Sequence, residues 1–226
     1  MPRRAKAGHR SFPSLRRKGP LREPKRRFIL YCEGRNTEPA YFQAIQRTCS
    51  SALVSVELHG GVGVPMTIAK AAVACAKSEG LAPRSRRRKH SFEERDQVWA
   101  VFDRDEHPEF EQAVLMCERS GIRVARSNPC FELWLNLHDR DYNRPNRRQQ
   151  VQADLKVLRA EYDPKGAKIP DCDELVRRVQ NAEQRATAQL QARELDGNPH
   201  GNPSTTVGTL TRAIREADAL GRPRTN

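Results

Sequence analysis

Three carboxylates in this chain are spaced as ligands for a divalent cation. Glu33 follows the apolar run Phe28-Ile-Leu-Tyr-Cys32, and Asp103 and Asp105 follow a second run, Val98-Trp-Ala-Val-Phe102. Each run is short, rich in β-branched or aromatic residues and closed at once by an acid, which predicts a buried strand ending in an acidic loop. In an open parallel sheet the loops after the strands line the ligand crevice, so three acids delivered there repel one another unless a cation sits between them. Oxygen ligands beside phosphate suit Mg²⁺, or Mn²⁺ in its place. The chemistry such a set serves is phosphoryl displacement, with one or two metals. The plainer reading is that each acid only caps the helix that follows it.

The elements that must position these acids alternate along the chain. A strand is predicted at about 27–32, then a helix with Thr37 as N-cap and Pro39 in its first turn. Val54–Leu58 reads as a second strand, and Gly60–Pro65 turns into an Ala-rich helix at about 66–79. That glycine run lacks the Gly-Lys-Ser/Thr of a phosphate loop and the acidic ribose partner of a dinucleotide site, so it does not indicate a nucleotide. A third strand at 97–102, a helix at about 108–120 and a strand at 122–126 complete a β-α-β-α-β-α-β order. This predicts an α/β fold with a mostly parallel four-stranded sheet and helices on both faces.

Ser127-Asn-Pro-Cys-Phe-Glu132-Leu-Trp-Leu-Asn136-Leu-His138 then predicts a buried helix capped by Asn128, with Pro129 at its first position. Residues 128, 132, 136 and 139 are its polar stripe. A carboxylate in so apolar a helix needs either an arginine partner or a cation, so Glu132 is a candidate fourth acid. Its expected role is to hold a second metal or orient a water. His107, just past the Asp103 loop, would contact substrate phosphate or shuttle a proton. From 140 onward, charged amphipathic helices are expected at about 149–160 and 172–195, and Gly197–Thr206 is expected to cap a last helix.

Charge points to the partner. The formal net charge is +13, and residues 1–27 hold eleven Lys and Arg against the single acid Glu23. With few apolar residues, 1–26 is expected to be a basic arm ahead of an α/β domain at 27–139 and a helical extension at 140–226 packed on it. Cations at this density bind polyphosphate with salt-sensitive, sequence-independent affinity. The alternatives are a solubilising tail or an anionic-membrane contact. Arg84, Arg86, Arg87, Arg88 and Lys89 form a second basic cluster expected at the rim of the site. Arg35 and Arg104, each beside a candidate acid, complete the expected nucleic-acid contacts. Arg144, Arg147 and Arg148 form a third, weaker cluster.

The six cysteines form no CxxC pair and fit reduced core thiols. No apolar stretch approaches a membrane span, and the basic start lacks the apolar region of a signal peptide, so a cytoplasmic protein is expected.

Four motifs, in order, resemble one family. Cys32-Glu33-Gly34 with Thr37-Glu38 and Tyr41-Phe42, Phe102-Asp103-Arg104-Asp105-Glu106-His107, Ser127-Asn-Pro-Cys-Phe-Glu-Leu-Trp134 with His138, and Asn202-Pro-Ser-Thr205 with Val207 are similar to RloB-like proteins. Members occur in bacteria beside restriction-modification and abortive-infection genes and look like Toprim-superfamily proteins. The resemblance implies a Toprim-like fold in which Glu33, Asp103 and Asp105 are the Mg²⁺-binding and catalytic acids, with Glu33 as general base. It implies an RNA-cleaving antiviral endonuclease, with tRNA favoured over DNA as substrate and an ATPase or other defence protein as a candidate partner. The arm and the 84–89 cluster lie outside the shared pattern. The alternative is a nucleic-acid-binding regulator whose acids are only structural. Oligomeric state, cleavage position and trigger leave no trace in the sequence.

Overall fold

The computed structural model describes residues 26–50, 53–82, 96–104, 107–164 and 169–221. The chain runs β1 (Arg26–Cys32), α1 (Thr37–Thr48), β2 (Val54–His59), α2 (Pro65–Ser78), β3 (Gln97–Asp103), α3 (Phe110–Arg119), β4 (Arg123–Asn128), α4 (Glu132–Asn136), α5 (Arg148–Leu158), α6 (Cys172–Val176), α7 (Val179–Leu195), β5 (Ser204–Thr205) and α8 (Val207–Gly221). The result is an α/β fold.

The sheet order is β2-β1-β3-β4-β5, parallel except for the antiparallel β5. It therefore has five strands where four were expected. β5 escaped the sequence reading because two residues carry no periodicity. Its Ser204 pairs with Asn128, and the Thr205 and Ser127 hydroxyls are 2.9 Å apart.

Period-two alternation sorts the strands into two cores. Phe28, Leu30, Cys32, Trp99 and Val101 face α1 and the C-terminal helices, while Ile29, Val98, Ala100 and Phe102 face α2 and α3. The helices beyond residue 140 thus share the core of α1: Leu155, Leu175, Ala182 and Leu210 are buried in it with Trp134.

Four boundaries depart from expectation. Arg26 opens β1 and pairs with Val54, so the proposed arm ends earlier; residues 1–25 lie outside the described residues. The helix cap near residue 37 is Asn36, with Thr37 already helical. Asn128 does not cap a helix. It ends β4, as suits a residue before proline, and a cis peptide to Pro129 leads into the short α4. The long helix at 172–195 breaks at Arg177–Arg178, where Arg178 binds Asp139 and Glu174.

All six cysteines are free of disulfides. No helix among the described residues is long and apolar enough to cross a membrane.

Candidate active site

Strand order makes the site. β1 is flanked by β2 on one side and β3 on the other, and α1 and α2 cover opposite faces, so the chain reverses its winding between β1 and β3. A crevice opens outside the carboxyl ends of strands at such a switch point. Glu33, one residue past β1, lies across the end of β3: its N–H donates to the Val101 carbonyl at 3.1 Å, and its Oε2 accepts the Asp103 N–H at 3.2 Å. Asp103 ends β3 and, two residues beyond Val101, points to the α1 and α4 side.

That orientation carries Asp103 toward two further acids. Glu38, in the first turn of α1, is 6% exposed and accepts the Gly34 N–H through Oε1 at 3.0 Å. A Cβ on Gly34 would overlap the Glu38 carboxylate, so any side chain there would have to push that carboxylate out of its place. The loop is fixed from β2: Gly61 N–H donates to Gly34 O at 2.9 Å and Val62 N–H to Cys32 O at 3.2 Å. Glu132, at the start of α4, receives the Tyr162 hydroxyl at 2.6 Å and the Gln152 amide at 3.3 Å. No arginine is paired with it among the described residues.

The acids perturb one another. Burial pushes the Asp103 pKa well above the carboxylate range, and the charges of Glu38, Glu132 and Glu33 push it further; only Arg148 opposes, its Nη2 2.9 Å from Oδ2. Burial raises Glu38 to about 7, with Glu132 and Glu33 adding to the rise against hydrogen bonds from the backbone N–H groups of Glu38 and Gly34. Tyr162 is raised by burial and by the adjacent Glu132 charge. Asp103 therefore feels three like charges against one compensating guanidinium. Such an excess of negative charge could be offset by a bound cation.

The donor set is all oxygen, which fits Mg²⁺ or Mn²⁺ and disfavours soft metals. Among the described residues no three His, Cys, Asp or Glu close around one point to hold an ion, and Asp105 lies outside them. Arg148, against Asp103, offsets part of the acid's charge in the way a bound cation would.

Of the residues chosen from sequence, the structure brings Glu33, Asp103, Glu132, His107 and Arg104 to this end of the sheet. His107 Nε2 is 3.6 Å from Glu33 Oε1. Arg104 and His107 line a cavity with Arg147 and Arg148. Arg35 is exposed, its side chain beside Gly61, and does not line that cavity. Arg84, Arg86, Arg87, Arg88 and Lys89 lie outside the described residues.

Two functional candidates were missed. Glu38 reads in sequence as a first-turn acid complementing a helix dipole. Its signal was its place five residues after Glu33 across a glycine. Arg148 is marked in the sequence only as part of the third basic cluster, and nothing local ties it to Asp103.

His138 proves structural. The Trp134 carbonyl, 3.0 Å from Nδ1, can only accept, so Nδ1 carries the proton and Nε2 accepts from the Tyr41 hydroxyl at 2.9 Å. Burial lowers its pKa to about 4.

Comparisons with curated proteins and with solved structures give no match. The family model described as "RloB-like protein" matches residues 28–214, which takes in every element from β1 into α8 and all the acids named above. The chain belongs to the RloB-like protein family.

Proposed function

We propose that the protein is a Mg²⁺-dependent phosphodiesterase of the Toprim type, an endoribonuclease acting on tRNA or related RNA in the cytoplasm as an antiviral effector. One observation carries the reading: Glu33, Glu38, Asp103 and Glu132 gather at the switch point between β1 and β3 with one arginine among them. Glu33, Asp103 and Asp105 would hold the metal, joined by Glu38 or Glu132. When bound, it supplies a Lewis acid that offsets charge developing on the phosphoryl oxygens.

The chain's own groups divide the remaining work. Glu33, tethered to the Asp103 N–H, is held to accept a proton from the attacking water, and His107 beside it can pass that proton on. Arg148, 2.9 Å from Asp103 Oδ2 and lining the neighbouring cavity, is placed to contact a phosphate oxygen beside the acids. RNA as substrate, and an ATPase or other defence protein as partner, rest on the resemblance to defence effectors.

The Asp103–Arg148 pair favours a second reading, a nucleic-acid-binding regulator whose acids are structural. Incubating the purified protein with labelled tRNA, single-stranded RNA and DNA in Mg²⁺, Mn²⁺ or EDTA separates the two. Cleavage of RNA that EDTA stops is expected. Folded protein that cuts none of the three would leave the regulator.

A further inference from the structure

Beside Asp103 the ends of β3 and β4, the start of α5 and the loop before β5 enclose a cavity of about 540 Å³. Arg104, His107, Asn128, Arg147, Arg148 and Asn202 line it. Its charge is one-sided: three guanidinium groups and an imidazole face it, and no carboxylate among the described residues does. α5, an eleven-residue helix, turns its N-terminal end and the positive pole of its dipole toward the same space.

The cations differ in their commitments. Arg148 is engaged with Asp103 at 2.9 Å. Arg104 is held weakly, 3.4 Å from Glu111 and 3.5 Å from the His200 carbonyl. Arg147 is exposed, makes no side-chain cap bond to α5 and has no ion-pair partner among the described residues. By contrast the wall is fixed. Asn128 Nδ2 donates to His200 O at 3.0 Å, while Asn202 donates to Asn146 O at 2.8 Å and accepts from Asn146 N at 3.3 Å.

A rigid wall, a free arginine and a volume in the range of ligand pockets describe a site for an anion larger than a lone ion. No Phe, Tyr or Trp among the described residues lines it, and two amides on its wall are spent on backbone, so beyond the His107 ring stacking and base-edge recognition have few groups to use. We propose that this cavity is a phosphate subsite that grips the sugar-phosphate backbone of the substrate strand one linkage from the scissile phosphate, with Arg147 as its principal ligand and Arg104 as its second. This rests on the nuclease reading for the position of the scissile bond. It assigns Arg147 to binding and not to chemistry.

The test uses the full chain in EDTA, where cleavage is silent, and a short fluorescent 2′-O-methyl RNA carrying one neutral methylphosphonate linkage moved stepwise along the strand. In wild type, one position of the neutral linkage should weaken binding about tenfold, the size of one charge-assisted contact. In Arg147→Ala that same linkage should cost nothing more, while linkages elsewhere keep their effect. The slope of log K against log salt should flatten by about 0.7 in this variant. Arg147→Lys should restore most of both. Losses that add to Arg147→Ala at every position, or an unchanged salt slope, would overturn the subsite. So would displacement of the RNA by micromolar AMP, which would make the cavity a site for free nucleotide. RNA that is cut in Mg²⁺ without coupling overturns the subsite alone; coupling in a protein that never cuts upholds the subsite and removes the nuclease reading.

Discussion

Glu38 and Glu183 are buried almost equally, 6% and 5% exposed, yet the protein answers their charges in opposite ways. Glu183, on α7, accepts the Thr211 hydroxyl at 2.9 Å and Arg215 Nη1 at 2.7 Å, with Arg212 at 3.9 Å, so α8 supplies a full countercharge. Glu38 receives backbone N–H groups only, and Glu132 and Glu33 add to its burden. Asp103 sits between the two cases, with one arginine against three acids. A buried carboxylate matched inside the chain is a strut between helices. One left unmatched is a place where something outside the chain completes the charge. The difference gives a criterion, independent of any motif, by which the proposed functional acids can be told from structural ones.

The widest gap should appear between activity and stability at the unmatched acids. Asp103→Asn and Glu33→Gln should each lower RNA cleavage about 1000-fold or more, because a ligand worth several kcal/mol of charge stabilisation is withdrawn. The melting temperature of the metal-free variants should hold or rise, since repulsion is relieved. Cleavage assays paired with thermal melts in EDTA read both. A variant that loses activity and stability together would put its acid in the class of Glu183.

At the matched acid the pattern should invert. Glu183→Gln strands Arg215 and Arg212 at the α7–α8 contact, and breaking a buried pair by removing one partner costs about 3 kcal/mol. Arg215 is partly exposed, which lowers that figure somewhat. Urea unfolding at neutral pH should show the loss, and cleavage by the folded fraction should be unaffected. Full stability in this variant would mean that burial and arginine contacts do not distinguish the two classes.

The sequence and the structure agree where local pattern and burial coincide. The β-α alternation was legible because β1 and β3 are buried on both faces and read as continuous apolar runs. Glu33 and Asp103 were legible because each closes such a run. What tertiary structure alone decides was not legible. The order β2-β1-β3-β4 puts Glu33 beside Asp103, and no spacing reveals it. Glu38 is pulled into the site by a loop pinned to Gly61, and Arg148 arrives from a helix forty-five residues past Asp103. The cap expected at Asn128 failed because proline's bias toward an extended predecessor outweighed asparagine's preference for N-caps. Asp105, the arm and the 84–89 cluster lie outside the described residues, so their assignment still rests on sequence.

The smallest effect is a pH dependence that the two buried sites pull in opposite directions. Glu38 has a folded pKa of about 7 against an ordinary 4.5, so between these values the folded chain holds a proton that the unfolded chain has lost. Its contribution is fully present below about 4.5 and disappears as pH rises to 7. His138 has a folded pKa of about 4 against 6.5, so over that interval the unfolded chain binds the extra proton and stability grows with pH. Each shift has a ceiling of about 3 kcal/mol, and an ionised carboxylate that recruits water reduces its share to about 1–2 kcal/mol. In EDTA the Glu38 and His138 contributions should therefore oppose one another between pH 4.5 and 6.5, where the two overlap. Glu38→Gln removes one side of the balance. This variant should gain about 1–2 kcal/mol over wild type at pH 7 and almost nothing at pH 4.5, leaving the rise from His138 exposed. Saturating Mg²⁺ should raise wild-type stability most at high pH, where the acids are ionised, and should do less for Glu38→Gln. An equal gain at both pH values would show that Glu38 titrates as an ordinary carboxylate, and the contrast with Glu183 would then rest on geometry alone.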